Sequence, residues 1–282
     1  MSCRCVFASL LVLALAGPAA AGAPAARITI LYDNSVATPG VKGAWGFACL
    51  VEAHGRTVLF DTGGDPAVLR DNLAELEVNP SRIQAVVVSH FHGDHTLGAA
   101  GLAAPKGTNV FTPHSFASYG EVMTALTSSG LVPVAVTESR ALFDGLSIAA
   151  PMRFTWRRPS SAGAAPSTEA WEEALLVDTP RGLVVVVGCS HPGIVAMLEQ
   201  VKKATGKPIH MVVGGFHLLD KPLAEARTIA AAVKSLGVER AGPTHCTGDD
   251  GVFAFREAYG DAFVHGGVGQ VIEVEAPPVT SR

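Results

Sequence analysis

Charge is scarce in this chain and has no positive excess: 21 Lys and Arg stand against 25 Asp and Glu, a net charge of −4. Proteins that bind nucleic acid need a basic surface to neutralise phosphates, so nucleic acid is not an expected partner and a small-molecule substrate is. Cysteine is sparse as well. Cys3 and Cys5 fall in an N-terminal leader, leaving Cys49, Cys189 and Cys246, an odd number that argues against a disulfide framework. The N-terminal apolar run, Val6 to Ala16, is too short to span a bilayer comfortably. No repeat of 20–50 residues and no long linker divides the chain, which excludes a solenoid. What the chain does have is apolar content, 48% hydrophobic against 16% charged. That is enough to bury a large core and rules out general disorder.

The leader reads as a signal peptide over residues 1–23. Arg4 is the only charge before Arg27, Gly17-Pro18 breaks the apolar run, and Ala19 to Ala21 supply small residues for cleavage near Ala21 or Ala23. The mature protein is therefore expected to be exported, periplasmic or secreted, without a stable membrane anchor. One domain is expected over residues 27–275, followed by a C-terminal tail at 276–282.

Along that domain, Arg27 to Tyr32 alternates as a strand, and Trp45 to Glu52 with Thr57 to Phe60 reads as a hairpin around His54-Gly55. Asp65-Pro66 caps a helix whose apolar stripe is Leu69, Leu73 and Leu76. A helix is predicted over Ser115 to Ser129, with His114 at its entry either lining the pocket or making a structural hydrogen bond, and Asp144-Gly145 turns a hairpin within Ala141 to Ile148. Arg157 to Thr168, rich in Pro, Ser, Gly and Ala, reads as a surface loop near a substrate entrance. Three further strand-to-helix units follow. Leu183 to Gly188 leads to Cys189-Ser190-His191 and a helix from Pro192; Ile209 to Val213 leads to His217; Arg240 to Thr244 leads to His245 and Cys246. Strand ends that converge on polar groups predict an α/β chain of the αββα type, two β-sheets flanked by helices.

The densest chemistry lies in Ala85 to His95, AVVVSHFHGDH. Three valines end in four metal-type ligands within six residues, the pattern of a buried strand opening into a metal site. His90 and His92, two apart, can aim at one cation, while Asp94 and His95 open the next helix and point at a second. Two adjacent divalent ions are implied.

The HxHxDH motif of His90, His92, Asp94 and His95 resembles the signature of the metallo-β-lactamase superfamily. LYDN at Leu31, WGFACLVE at Trp45, LFDTG at Leu59, GCSHPGI at Gly188, GGFHL at Gly214 and PTHCTG at Pro243 resemble, within it, the dihydropterin-ribofuranosyl-aminobenzene phosphate synthase-like branch. The resemblance implies zinc as the expected metal, His90 and His92 on the first ion, Asp94 and His95 on the second, and His245 as the last ligand of the second. His191 is the best third ligand for the first ion, because it ends a buried strand and precedes a helix. Many relatives carry a bridging aspartate where this chain has Cys189. That residue is either a thiolate ligand or a buried spacer without metal contact.

Asp61 in LFDTG is placed to accept an imidazole N–H and fix the ring's orientation. His217 is placed either to hydrogen-bond substrate as a proton donor or to support a ligand. Cys246 reads as structural, and His54, His210 and His265 as ordinary residues. Metal-assisted hydrolysis of an ester, thioester, lactam or phosphoester is the first expectation, with Asp94 and His217 as catalytic residues. Two cations would bring a bound water's pKa toward ~7. The alternatives are a transferase of the synthase-like kind, weakened by the absence of a dense Arg/Lys phosphate clamp near the motifs, and a metal-binding protein without turnover.

Overall fold

Two mixed sheets lie face to face in the computed structural model, which describes residues 24–157 and 167–275. The expected signal peptide at 1–23, the tail at 276–282 and residues 158–166 of the expected surface loop lie outside the described residues. No helix among the described residues is long and apolar enough to cross a membrane.

The first half of the chain supplies β1 (Ala26–Tyr32), β2 (Ala48–Ala53), β3 (Arg56–Phe60), α1 (Pro66–Glu75), β4 (Ala85–Val87), α2 (Gly93–Thr96), β5 (Asn109–Pro113), α3 (Gly120–Ser128) and β6 (Val132–Val136). β1 to β3 meander antiparallel, and β3 to β6 run parallel. Asp65 caps α1 as its sequence requires: Oδ1 accepts the N–H of Ala67 at 2.7 Å and that of Val68 at 3.3 Å.

The second half supplies β7 (Arg140–Phe143), β8 (Leu146–Ile148), β9 (Met152–Arg157), β10 (Ser167–Glu172), β11 (Leu175–Thr179), β12 (Gly182–Val187), α4 (Ile194–Thr205), β13 (Ile209–Gly215), α5 (Leu223–Ser235), β14 (Arg240–Thr244) and α6 (Gly248–Tyr259). β12, β13 and β14 are parallel at one side of the second sheet. Their near-continuous apolar runs are what a strand covered on both faces needs. β15 (Val271–Val274) returns to pair with β1 and completes the first sheet.

Three apolar clusters account for the layering. Ile28, Val51, Phe60, Val87, Val184, Val186 and Met211 fill the space between the sheets. Leu198, Val212, Val233 and Phe255 pack α4, α5 and α6 on one outer face. Leu59, Leu69, Val86, Val110 and Leu126 pack α1 and α3 on the other. This is the expected αββα sandwich.

Local differences have local causes. The helix expected over Ser115 to Ser129 is a 3-10 turn, His114–Ser118, followed by α3. Tyr119 breaks the two with φ −113° and ψ 79°, and its ring stacks on Phe91 at 3.8 Å. The helix expected from Pro192 begins at Ile194, because Gly193 stands at φ 95°, outside helical space. The β9–β10 hairpin was not anticipated. Arg157, Ser167 and Thr168 of the expected loop belong to its two antiparallel strands.

Candidate metal centre

The carboxyl ends of β3, β4, β12, β13 and β14 converge, the place where open α/β sheets bind ligands. β3 delivers Asp61, β4 delivers Ser89 through His95, β12 delivers Cys189 to His191, β13 delivers His217 and β14 delivers His245. Among the described residues six non-glycines have positive φ, and four are here: Asp61 (56°), Ser190 (62°), His217 (53°) and His245 (51°). Such backbone costs of order 1–3 kcal/mol per residue and clusters where geometry is imposed by function.

His90, His92 and His191 form a triangle. His90 Nε2 is 3.1 Å from His92 Nδ1, and His191 Nε2 is 3.2 Å from His90 Nε2 and 3.1 Å from His92 Nδ1. Two ring nitrogens can share one proton, but three meeting at one point cannot all be satisfied that way. The triangle fits a cation with nitrogen ligands at about 2.0–2.1 Å. Burial holds all three rings neutral: His92 falls to about 4, His191 to about 2, and His90 well below its ordinary value, with the neighbouring rings adding to the effect. Neutral imidazole is the ligand form.

Beside it, Asp94 Oδ2 lies 3.7 Å from His95 Nε2 and 3.4 Å from His245 Nε2. His245 Nε2 is buried with no hydrogen-bond partner, a donor atom aimed at a position a cation would occupy. Burial would raise the Asp94 carboxyl, but His95 and His245 outweigh it and hold it below the usual carboxylate range. Burial would likewise lower His95, yet Asp61 and Asp94 carry it up to about 9. A metal ion would compete with that proton.

The candidate ligand rings are oriented from behind. Asp61 is fully buried; its Oδ2 lies 2.7 Å from His95 Nδ1 and accepts from Ser89 Oγ at 2.8 Å, while Oδ1 accepts from Ser89 N at 2.7 Å. Ser89 Oγ sits 2.9 Å from His90 Nδ1, leaving Nε2 for the triangle. Asn34 Oδ1 lies 3.1 Å from His245 Nδ1, and Asn34 Nδ2 donates to His245 O at 3.0 Å. Cys189 Sγ is 3.1 Å from His95 Nε2 and is buried, so it borders the second cluster. His217 is exposed at the mouth, its ring 4.3 Å from that of His191.

Several contributors escaped the sequence reading. Glu172, fully buried, accepts the backbone N–H groups of Cys189, Ser190 and His191. Burial pushes its carboxyl up to about 7 against those three donors. The signal available was the pair Glu172-Glu173 set just before an apolar strand. The β9–β10 hairpin adds an aromatic wall, with Phe154 stacked on His191 at 4.6 Å and Trp156 5.3 Å from His92. Phe91, His92, Leu97, Tyr119, Val122 and Trp156 line a cavity of about 490 Å³. His114 does not make the expected hydrogen bond: its buried Nδ1 has no partner, and the ring packs on Trp171 at 4.6 Å. His54 Nε2 sits 2.7 Å from Asp178 O, away from the site. His210 pairs with Glu239 at 2.7 Å. Cys189 lies in one further donor group with His90 and His95, and Cys246, read as structural, lies in another with Cys189 and His217.

The fold, the HxHxDH loop and the paired donor clusters define a scaffold of the metallo-β-lactamase type. A profile of the metallo-beta-lactamase superfamily matches residues 46–203, and the chain belongs to that superfamily. It is 28% identical over 260 residues, 80% of this chain and 88% of the relative, to the 7,8-dihydropterin-6-methyl-4-(beta-D-ribofuranosyl)-aminobenzene-5'-phosphate synthase of Methanocaldococcus jannaschii, in accord with the branch its motifs resemble. The crystal structure of Tm1679, a metal-dependent hydrolase of the beta-lactamase superfamily, superposes with a TM-score of 0.72 at 27% identity, covering 89% of this chain and 99% of that one. Human tRNase Z, short form, shares the fold alone, at a TM-score of 0.56 and 15% identity over 88% of this chain and 99% of that one.

Proposed function

We propose that this protein is a metal-dependent hydrolase of a small molecule, cleaving an ester, thioester, lactam or phosphoester bond. The observation that carries the reading is the meeting of two donor clusters, His90–His92–His191 and Asp94–His95–His245, at one cleft beside an aromatic-walled cavity. Two divalent ions held by these residues, zinc by preference, would supply Lewis acidity and would acidify a water toward ~7. The chain's own residues do the rest. Asp94, ionised and half-buried, accepts a hydrogen bond from the O–H of the attacking water and so aligns its oxygen with the bond to be cleaved. His217, exposed above His191, gives a proton to the leaving group, and its ordinary value is raised by a hydrogen bond to Cys246. Phe91, Tyr119 and Trp156 hold a flat apolar part of the substrate and exclude water from that side.

A second reading is a synthase like the Methanocaldococcus relative, favoured by 28% identity across 80% of the chain. Both readings use the same centre. Metal-loaded protein assayed on chromogenic esters and phosphodiesters, and separately on a dihydropterin with a ribosyl-aminobenzene phosphate, distinguishes them. Hydrolysis that disappears with the metal supports the first reading; condensation alone supports the second. Metal uptake with no turnover in either assay contradicts both.

A further inference from the structure

Below the histidine triangle lies a sulfur-rich group of donors. Cys189 Sγ, Cys246 Sγ and a ring nitrogen of His217 all lie within 4.8 Å of one another. The adjacent parallel strands β12, β13 and β14 each deliver one of them just past its carboxyl end. Both cysteines are buried, at 3% and 2% exposure, while His217 opens to the cleft and gives an ion a way in. Glycine keeps the space free: a Cβ on Gly215 would meet Cys246 Sγ at 2.7 Å and Gly188 O at 2.5 Å. Cys246 Sγ itself lies 3.6 Å from Cys189 O. A thiol that served only to fill volume would not need an imidazole turned onto it from strained backbone, and His217 stands at φ 53°.

We propose that Cys189, Cys246 and His217 bind a thiophilic cation, of the class of zinc, cadmium or monovalent copper, at a site adjoining the histidine triangle but separate from it. Two thiolates and one imidazole are a soft donor set, unlike the nitrogen and oxygen donors of the two clusters above. Binding forms two metal–sulfur bonds and one metal–nitrogen bond, the two thiol protons leave to solvent, and no electrons are exchanged. Cys189 also stands 3.1 Å from His95 Nε2, so an ion here shares a wall with the Asp94–His95–His245 cluster. The site stands whether or not the histidine clusters catalyse hydrolysis; with an ion bound, His217 is a neutral ligand, and it serves as proton donor only while the sulfur site is empty.

The test is a cadmium titration of the full-length protein, reduced and stripped of metal, followed by thiolate-to-cadmium charge-transfer absorption in the near ultraviolet. The band is expected in the wild type, in His92→Ala and in Cys49→Ser, and is expected to fall by half or more in Cys246→Ser. Cadmium uptake without the band, or a full band in folded Cys246→Ser, overturns the proposal. If Cys246→Ser fails to fold, the cadmium-113 resonance of the wild type decides. A signal displaced downfield by two sulfur donors supports the site; signals confined to nitrogen and oxygen coordination overturn it.

Discussion

Glu172 Oε2 accepts the backbone N–H of His191 at 2.7 Å, while Oε1 accepts those of Cys189 and Ser190 at 2.8 and 2.7 Å. A buried carboxylate at the end of the β9–β10 hairpin thus fixes the loop from which His191 completes the histidine triangle. The hairpin that walls the cleft and the loop that carries His191 are one mechanical unit.

Removing that carboxylate leaves three buried N–H groups without an acceptor, each costing about 1–3 kcal/mol. Glu172→Ala is expected to lower the melting temperature markedly and to lose metal from the triangle. Glu172→Gln keeps one acceptor oxygen but turns an amide N–H toward a backbone N–H, so an intermediate loss is expected. Thermal unfolding and metal analysis check this; an alanine variant with wild-type values for both would refute it.

Asp61 acts on His95 in a similar way, from behind the ring. Asp61→Asn keeps the size but weakens the acceptor that Ser89 Oγ and His95 Nδ1 share, and changes of this kind cost about 10–100-fold in metal affinity. Competition with a calibrated chelator measures it. Affinity equal to the wild type would remove Asp61 from the account.

Much of this candidate site was legible in the sequence because several of its donor residues are local. His90, His92, Asp94 and His95 fall within six residues after a valine run; β4 ends at Val87, so the loop beyond it, rather than strand alternation, brings His90 and His92 together. His191 and His245 were legible as polar ends of apolar strands, and the sandwich followed from the repeated strand-to-helix units. What stayed hidden depends on distant pairings. Glu172 meets the Cys189 loop only because β10 crosses it, and Trp156 faces His92 only because β9 and β10 fold back as a hairpin. Asn34 had its motif but no role, since its partner His245 lies 211 residues away. Cys246 sits next to a ligand, and only the sheet order brings it to Cys189 and His217.

The aromatic wall predicts a split between binding and chemistry. Trp156→Ala is expected to raise KM for substrates carrying a flat ring about tenfold, or about 1.4 kcal/mol, with metal content unchanged. Steady-state kinetics on paired aromatic and aliphatic esters measure it. An equal effect on both substrates, or none, would take Trp156 out of the binding surface.

Export is expected from the apolar run Val6 to Ala16 and the alanines behind it. Protein recovered outside the cytoplasm should begin between Gly22 and Arg27 when its N-terminus is sequenced. Intact Met1 on active cytoplasmic protein would contradict the expectation.

The most direct test of the metal centre is the metal-to-protein ratio of the purified chain and of His92→Ala and His245→Ala, by elemental analysis under identical handling, with the sulfur site occupied by no added cadmium. Each substitution is expected to remove about one ion from a different cluster and to lower the melting temperature, because an ion that binds only the folded state stabilises it by mass action. Equal metal content in the wild type and both variants would contradict the centre described here.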